Sequence, residues 1–245
     1  MTQSSTGPRR LYLLQLSTTT IPVASGSLDM VLGCYLVETG DGQRILIDTG
    51  LPADAPVPPG APPAENQTNV IQQLADLAIR PDDVDLLICT HFDIDHVGYH
   101  DAFTNAELIV QRQHYELARS GHPRFAAGRA HWDNPGLRYR LIDGDVEILP
   151  GLTVLETSGH VPWHQSVLVR LPRTGPVLLA IDAVMMQRLF TPDRRAWPAD
   201  DNEEQLRAST RKLQDLVERE HVALVVFGHD GQQWQSLEKA PAYYE

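Results

Sequence analysis

The chain has 245 residues, 42% hydrophobic and 21% charged, with a formal net charge of −12. That is enough apolar material for a sizeable core in one large domain or two small ones, without help from disulfides. The acidic balance excludes nucleic acid and anionic membrane surfaces as partners, since both would be repelled.

No apolar run approaches the roughly 18 residues needed to span a bilayer. The opening stretch, Met1 to Arg10, is polar and lacks the apolar segment of a secretory signal, so the expected location is the cytoplasm. These first ten residues are expected to be frayed. The two cysteines, Cys34 and Cys89, each sit inside an apolar run and read as buried free thiols.

In chain order, Leu11 to Leu16 reads as a strand, Val31 to Thr39 as a second and Arg44 to Asp48 as a third. Gly40-Asp41-Gly42 is a hairpin signal between the last two. Asp48-Thr49-Gly50 ends the third strand with an acid that can pin a loop through backbone hydrogen bonds. Residues 51 to 67 contain six prolines, which forbid helix or central strand. A connector of that length suits a lid, a binding loop or a disordered segment.

A helix follows, with Val70, Ile71, Leu74, Leu77 and Ala78 on one stripe and Pro81 beyond its end. Val84 to Cys89 is a buried strand, Ala106 to Gln111 another, and a short helix is expected near His114 to Ala118. Residues 119 to 136 are irregular and form a second candidate wall for a substrate. Strands are then expected at 138–142, 146–149, 152–156, 165–171, 177–182 and 223–227, with a helix over about 203–219. No low-complexity linker divides the chain, so two sheets with helices outside are expected in one domain.

Strand ends carry the candidate chemistry. Thr90-His91-Phe92-Asp93-Ile94-Asp95-His96 places four possible metal ligands within six residues. His160, Asp182 and His229 each follow a further apolar strand, His160 and His229 directly after a glycine. Singly, His160 reads as a capping or surface histidine and Asp182 as a turn residue. Together, at successive strand ends, they suit a cluster of metal ligands. His100, His114, His122, His131 and His221 read as surface or loop histidines.

These motifs, with Gly98 after His96, resemble the metallo-β-lactamase superfamily, and within it the N-acyl homoserine lactonases, the quorum-quenching enzymes. The likeness extends to Cys34 through Thr39, Val110-Gln111-Arg112, Gly159 through Ser166, Trp234 and the terminal Tyr243-Tyr244. It implies an α/β protein, an αββα sandwich of two mixed β-sheets with helices on the outer faces, residues 1–245 forming one hydrolase domain. It also implies two divalent metal ions, Zn²⁺ first, with Fe or Mn as alternatives. His91, Asp93 and His160 would hold one ion, Asp95, His96 and His229 the other, and Asp182 would bridge them. Asp95 would also be catalytic, passing a proton to the leaving group, while Asp48 would orient a ligand.

Three positions depart from the family pattern. Asp93 stands where a histidine is usual; flavodiiron relatives carry an acid at the matching position, and a carboxylate there can still ligate while making the site harder and more negative. Met185 stands where such lactonases often carry a tyrosine that contacts the substrate carbonyl, and a thioether cannot donate. Tyr99 or His164 could supply that donor instead. Trp163 replaces a smaller residue and would narrow the pocket or pack.

The implied activity is opening of a lactone ring by a metal-activated water, on an N-acyl homoserine lactone. The alternative is the same chemistry on another ester, a glyoxalase II-like thioester or a cyclic amide. A redox role for an iron pair lacks any flavin or rubredoxin-like cysteine motif. The expected partner is a small lactone or ester, and a homodimer is left open.

Overall fold

Strand β1 (Pro8–Val23) shows how alternation builds the architecture. Leu11 and Leu13 enter one buried layer, while Tyr12, Leu14 and Leu16 enter another. A period of two does this wherever both faces of a sheet are covered. The computed structural model describes residues 6–23, 26–55 and 64–245.

Six strands form the first sheet, in the order β1, β2 (Gly26–Thr39), β3 (Arg44–Ile47), β4 (Leu86–Ile88), β5 (Glu107–Gln111) and β6 (Arg138–Ile142). β1, β2 and β3 pair antiparallel; β3 through β6 are parallel. The parallel part needs crossovers, and they contain helices α1 (Val70–Asp76), α2 (Ile94–Val97), α3 (Arg112–Arg119) and α4 (Arg129–Trp132).

The second sheet has the order β11 (Leu224–Phe227), β10 (Gly175–Ile181), β9 (Gln165–Leu171), β8 (Leu152–Glu156) and β7 (Val146–Leu149). Its pairs are antiparallel except β10 with β11, which are joined through helix α5 (Glu203–Glu220). Asn202 starts α5 by accepting the Gln205 N–H at 3.0 Å, and Leu206, Leu213 and Leu216 are its buried stripe.

Three apolar layers result. Val31, Ile45, Ile47, Ile88, Val167, Val169 and Leu179 fill the space between the sheets. α1 covers the outer face of the first sheet with Val70 and Leu74, and α5 covers the second with Leu213 and Leu216. Each such side chain contributes about 1.5–3 kcal/mol by leaving water, so these layers fix how the sheets sit. Both sheets are mixed and helices lie outside them, the αββα sandwich.

Some sequence expectations change. Pro8 to Arg10 are not frayed: they belong to β1, with Pro8 in register with Thr39. The N-terminal residues 1–5 and the centre of the proline-rich stretch, 56–63, lie outside the described residues. A last helix, α6 (Gly231–Ser236), was not expected. Six residues are too few for a periodic stripe, and its anchor is the buried Trp234 against Tyr35. His100 and His114 are not surface residues, since both are fully buried. His114 accepts the Phe92 N–H at 3.0 Å through Nε2 and donates from Nδ1 to the Pro162 carbonyl at 2.7 Å. Both cysteines are buried and unpaired, and burial pushes their thiols well up.

Candidate metal centre

The two sheets each bring one set of strand ends to a common edge. From the first sheet come Asp48, after β3, and His91 to His96, after β4. From the second come His160, after β8, Asp182, after β10, and His229, after β11. Asp48 and Ile181 have φ of 59° and 52°, unusual for residues with a Cβ. Such strain persists only where surrounding packing holds it, and here it accompanies the turn into the cleft. Gly228 permits close approach, because a Cβ there would lie 2.8 Å from the Ile181 carbonyl oxygen.

Each of the four imidazoles from these strand ends is held by its Nδ1. His96 donates to Asp48 Oδ2 at 2.8 Å, His160 to Asp200 Oδ1 at 2.8 Å and His229 to the Val31 carbonyl at 2.8 Å. His91 Nδ1 donates to Thr90 Oγ1 at 3.0 Å, whose own hydroxyl donates to Asp48 Oδ2 at 2.7 Å. This fixes the tautomer that leaves Nε2 as a lone-pair donor facing the cleft.

The Nε2 atoms converge with carboxylates. His91, Asp93 and His160 form one group of potential ligand atoms within 4.8 Å of one another; Asp95, His96 and His229 form another; His91, His96 and Asp182 form a third between them. Asp182 reaches both sides, with Oδ1 3.0 Å from His229 Nε2 and Oδ2 3.3 Å from His160 Nε2. His91 Nε2 and His96 Nε2 are buried with no hydrogen-bond partner. Buried polar atoms normally have partners, so two orphans aimed at three carboxylates fit a cation between them.

A family model for the metallo-beta-lactamase superfamily matches residues 34–229. The chain belongs to the metallo-β-lactamase superfamily. It is 34% identical over 227 residues, 88% of each chain, to an N-acyl homoserine lactonase from a Bacillus species. Over 195 residues it is 39% identical to N-acyl homoserine lactonase AttM of Azorhizobium caulinodans, spanning 71% of this chain and 69% of the relative. A solved N-acyl homoserine lactone hydrolase, with N-hexanoyl-L-homoserine bound at its catalytic metal centre, is similar with a TM-score of 0.84 and 30% identity. That match covers 97% of this chain and 100% of the other.

Charge in the centre of this superfamily member is tightly coupled. Burial alone would depress His96, but the carboxylates of Asp95, Asp182 and Asp48 outweigh it and raise it well above the usual imidazole range. His160 is likewise raised to about 9, burial being outweighed by Asp182, Asp200 and Asp93. His91 is depressed to about 3 by burial and by His96. Asp182 stays well below the usual carboxylate range, because His229, His96 and His160 outweigh its burial. Such a site binds protons on its imidazoles when no other cation neutralises the acids.

The remaining sequence-predicted residues fall in three places. His164 is buried beneath Asp182: its Nε2 accepts the Asp182 N–H at 3.3 Å and its Nδ1 donates to Thr157 Oγ1 at 2.9 Å. It therefore has no N–H left for a substrate. Met185 is buried too, and its carbonyl accepts the His229 N–H at 2.9 Å. Tyr99 is half-buried and lines a cavity of about 320 Å³ with Leu16, Leu51, Pro52, Ala53 and Ala55. Trp163 is 36% exposed and has φ of 55°. A larger cavity, about 760 Å³, is lined by Ser27, Asp29, Gln187 and Asp230, and neither cavity is lined by a candidate ligand.

Two residues of the centre escaped the sequence. Asp200 has a fully buried carboxylate that also lies 3.6 Å from Arg194. It sits in an irregular segment with no periodicity to expose it. Arg124 makes a two-pronged pair with Asp93, Nε to Oδ1 at 2.7 Å and Nη2 to Oδ2 at 2.6 Å. The extra acid at position 93 was a signal that some cation should face it. The 119–136 stretch, expected to be irregular and to face a substrate, instead contains helix α4 and sends Phe125 and Trp132 into the core around Phe92.

Proposed function

We propose that this chain is a lactonase that opens N-acyl homoserine lactones, using two divalent ions. His91, Asp93 and His160 would hold the first ion, Asp95, His96 and His229 the second, with Asp182 between. The imidazole-rich donor set favours zinc, with iron or manganese as alternatives. The observation that carries the reading is two three-residue ligand groups on either side of Asp182, in a chain aligned over 88% of its length with an N-acyl homoserine lactonase.

When bound, the ions supply an acidified water and polarisation of the ester carbonyl. The chain's own residues do the rest. Asp48, Thr90, Asp200 and the Val31 carbonyl hold the rings so that only Nε2 faces inward. Asp95, with a partly exposed carboxylate, takes the proton of the attacking water and delivers it to the alkoxide as the ring C–O bond breaks. The product is the open hydroxy acid. With His164 engaged and Met185 unable to donate, Tyr99 is the side chain we assign to the substrate carbonyl. The groove beside Tyr99, walled by Leu16, Leu51 and Pro52, would take the acyl chain.

A pH-stat panel of acyl homoserine lactones, thioesters and cyclic amides tests this. Proton release is expected with the lactones, and its absence with every lactone overturns the reading.

A further inference from the structure

The Asp93–Arg124 pair bears on how the centre fills. Arg124 uses all its donors. Nε and Nη2 hold Asp93, Nη2 also meets His160 Nε2 at 3.0 Å, and Nη1 holds the Ala199 carbonyl at 2.7 Å and Asp201 Oδ1 at 2.9 Å. Asp93 Oδ2 and His160 Nε2 lie 3.2 Å apart, and one guanidinium nitrogen caps both. They are two of the three donor atoms of the first ligand group. An ion there needs the same lone pairs and meets a fixed positive charge within a few ångströms, which is repulsive at any protein dielectric.

The other group is arranged differently. Among the described residues, Asp95 is paired with His96 and His229 and with no lysine or arginine. Its lone pairs have no guanidinium or ammonium to displace, only protons on the neighbouring imidazoles. The two halves of the centre therefore differ by one guanidinium. Position 93 with a neutral imidazole would need no such partner; the carboxylate brings the arginine with it.

We propose that Arg124 is a built-in competitor for the first ion, so that the Asp95–His96–His229 site fills tightly and the His91–Asp93–His160 site fills at least tenfold more weakly. Filling the first site requires Nη2 to leave Asp93 and His160. Nη1 remains on Ala199 and Asp201, which lets the arginine move aside without being released. The inference rests on the ligand assignment under Proposed function and adds an order of filling to it.

The test is a Zn²⁺ titration of the full chain, stripped with chelator, by calorimetry against a competing chelator, followed by elemental analysis after desalting. The wild-type chain is expected to keep one ion on desalting and to show a second, weaker site. Arg124→Gln is expected to keep two, with the weak site strengthened at least tenfold and the tight site unchanged. Asp93→His, which removes the arginine's partner and restores an imidazole, is expected to do the same and decides the matter if Arg124→Gln does not fold. Two equal sites in the wild-type chain overturn the inference while leaving lactone hydrolysis as proposed. A weak site unchanged in the folded variants overturns it as well. No ion bound by any of the three chains overturns both readings.

Discussion

The Asp200 carboxylate holds Nδ1 of His160 at 2.8 Å across 40 residues of sequence. The Trp197 N–H at 2.6 Å fixes that carboxylate in turn. His160 therefore has one ring orientation and one tautomer. Asp200→Asn keeps the shape and removes the charge, so zinc affinity at the His160 site is expected to fall about 10–100-fold. Competition titration measures it, and an unchanged affinity would show the contact to be packing only.

Asp95→Asn keeps an oxygen for an ion and removes the proton acceptor. At saturating metal, kcat on an acyl homoserine lactone is expected to drop about 10²–10⁴-fold, with KM little changed. A variant that regains activity as metal is raised would mean that Asp95 acts only as a ligand.

His114 predicts an acid sensitivity of the fold. Burial depresses it to about 4, and only its neutral form can accept the Phe92 N–H. The unfolded chain, with an ordinary imidazole near 6.5, binds that proton first. Stability from this group is therefore complete above about pH 6.5, falls with decreasing pH, and is lost by about pH 4. The depression corresponds to about 3 kcal/mol. His114→Gln, followed by urea unfolding from pH 7 to 4, should show a stability gap to the wild-type chain that shrinks by about that amount. A gap constant with pH contradicts the assignment.

Gly159 precedes His160 at φ 136°, and a Cβ there would lie 2.4 Å from the Leu206 backbone nitrogen. Gly159→Ala combines strain with a clash against a helix backbone that cannot yield cheaply. A loss of about 1–3 kcal/mol or more is expected, read as a lower denaturation midpoint.

Much of this was legible because it is periodic. A short apolar run marked β1 at Leu11 to Leu16, and a 3.6-residue stripe marked α5. The convergence of the candidate ligands could be anticipated because each follows an apolar strand and because their order resembles the superfamily pattern, so a one-dimensional pattern carried a three-dimensional edge. What stayed hidden acts across space without local pattern. His114 looked like a surface residue because its helix is short and polar, yet the Pro162 carbonyl and Phe92 N–H draw it inside. Asp200 lies in an irregular segment and Arg124 in the single 3₁₀ turn Pro123–Phe125, where neither alternation nor spacing says what a side chain will meet. Pro8 to Arg10 looked like a loose end because polarity alone was available, whereas pairing with β2 orders them.

The supply of ligands from both sheets has a mechanical consequence. An ion gripped by His91 or His96 on one side and by His160, Asp182 or His229 on the other would be a further cross-link between layers already joined by apolar contact and by hydrogen bonds such as Gln165 Nε2 to the Cys89 carbonyl and His229 Nδ1 to the Val31 carbonyl. Because the ligands converge only when both sheets are in place, such an ion would bind the folded chain and not the unfolded one. Release of the ion and parting of the sheets at this rim would then become one event. The same atoms that would activate a water would also set how long the sandwich stays shut.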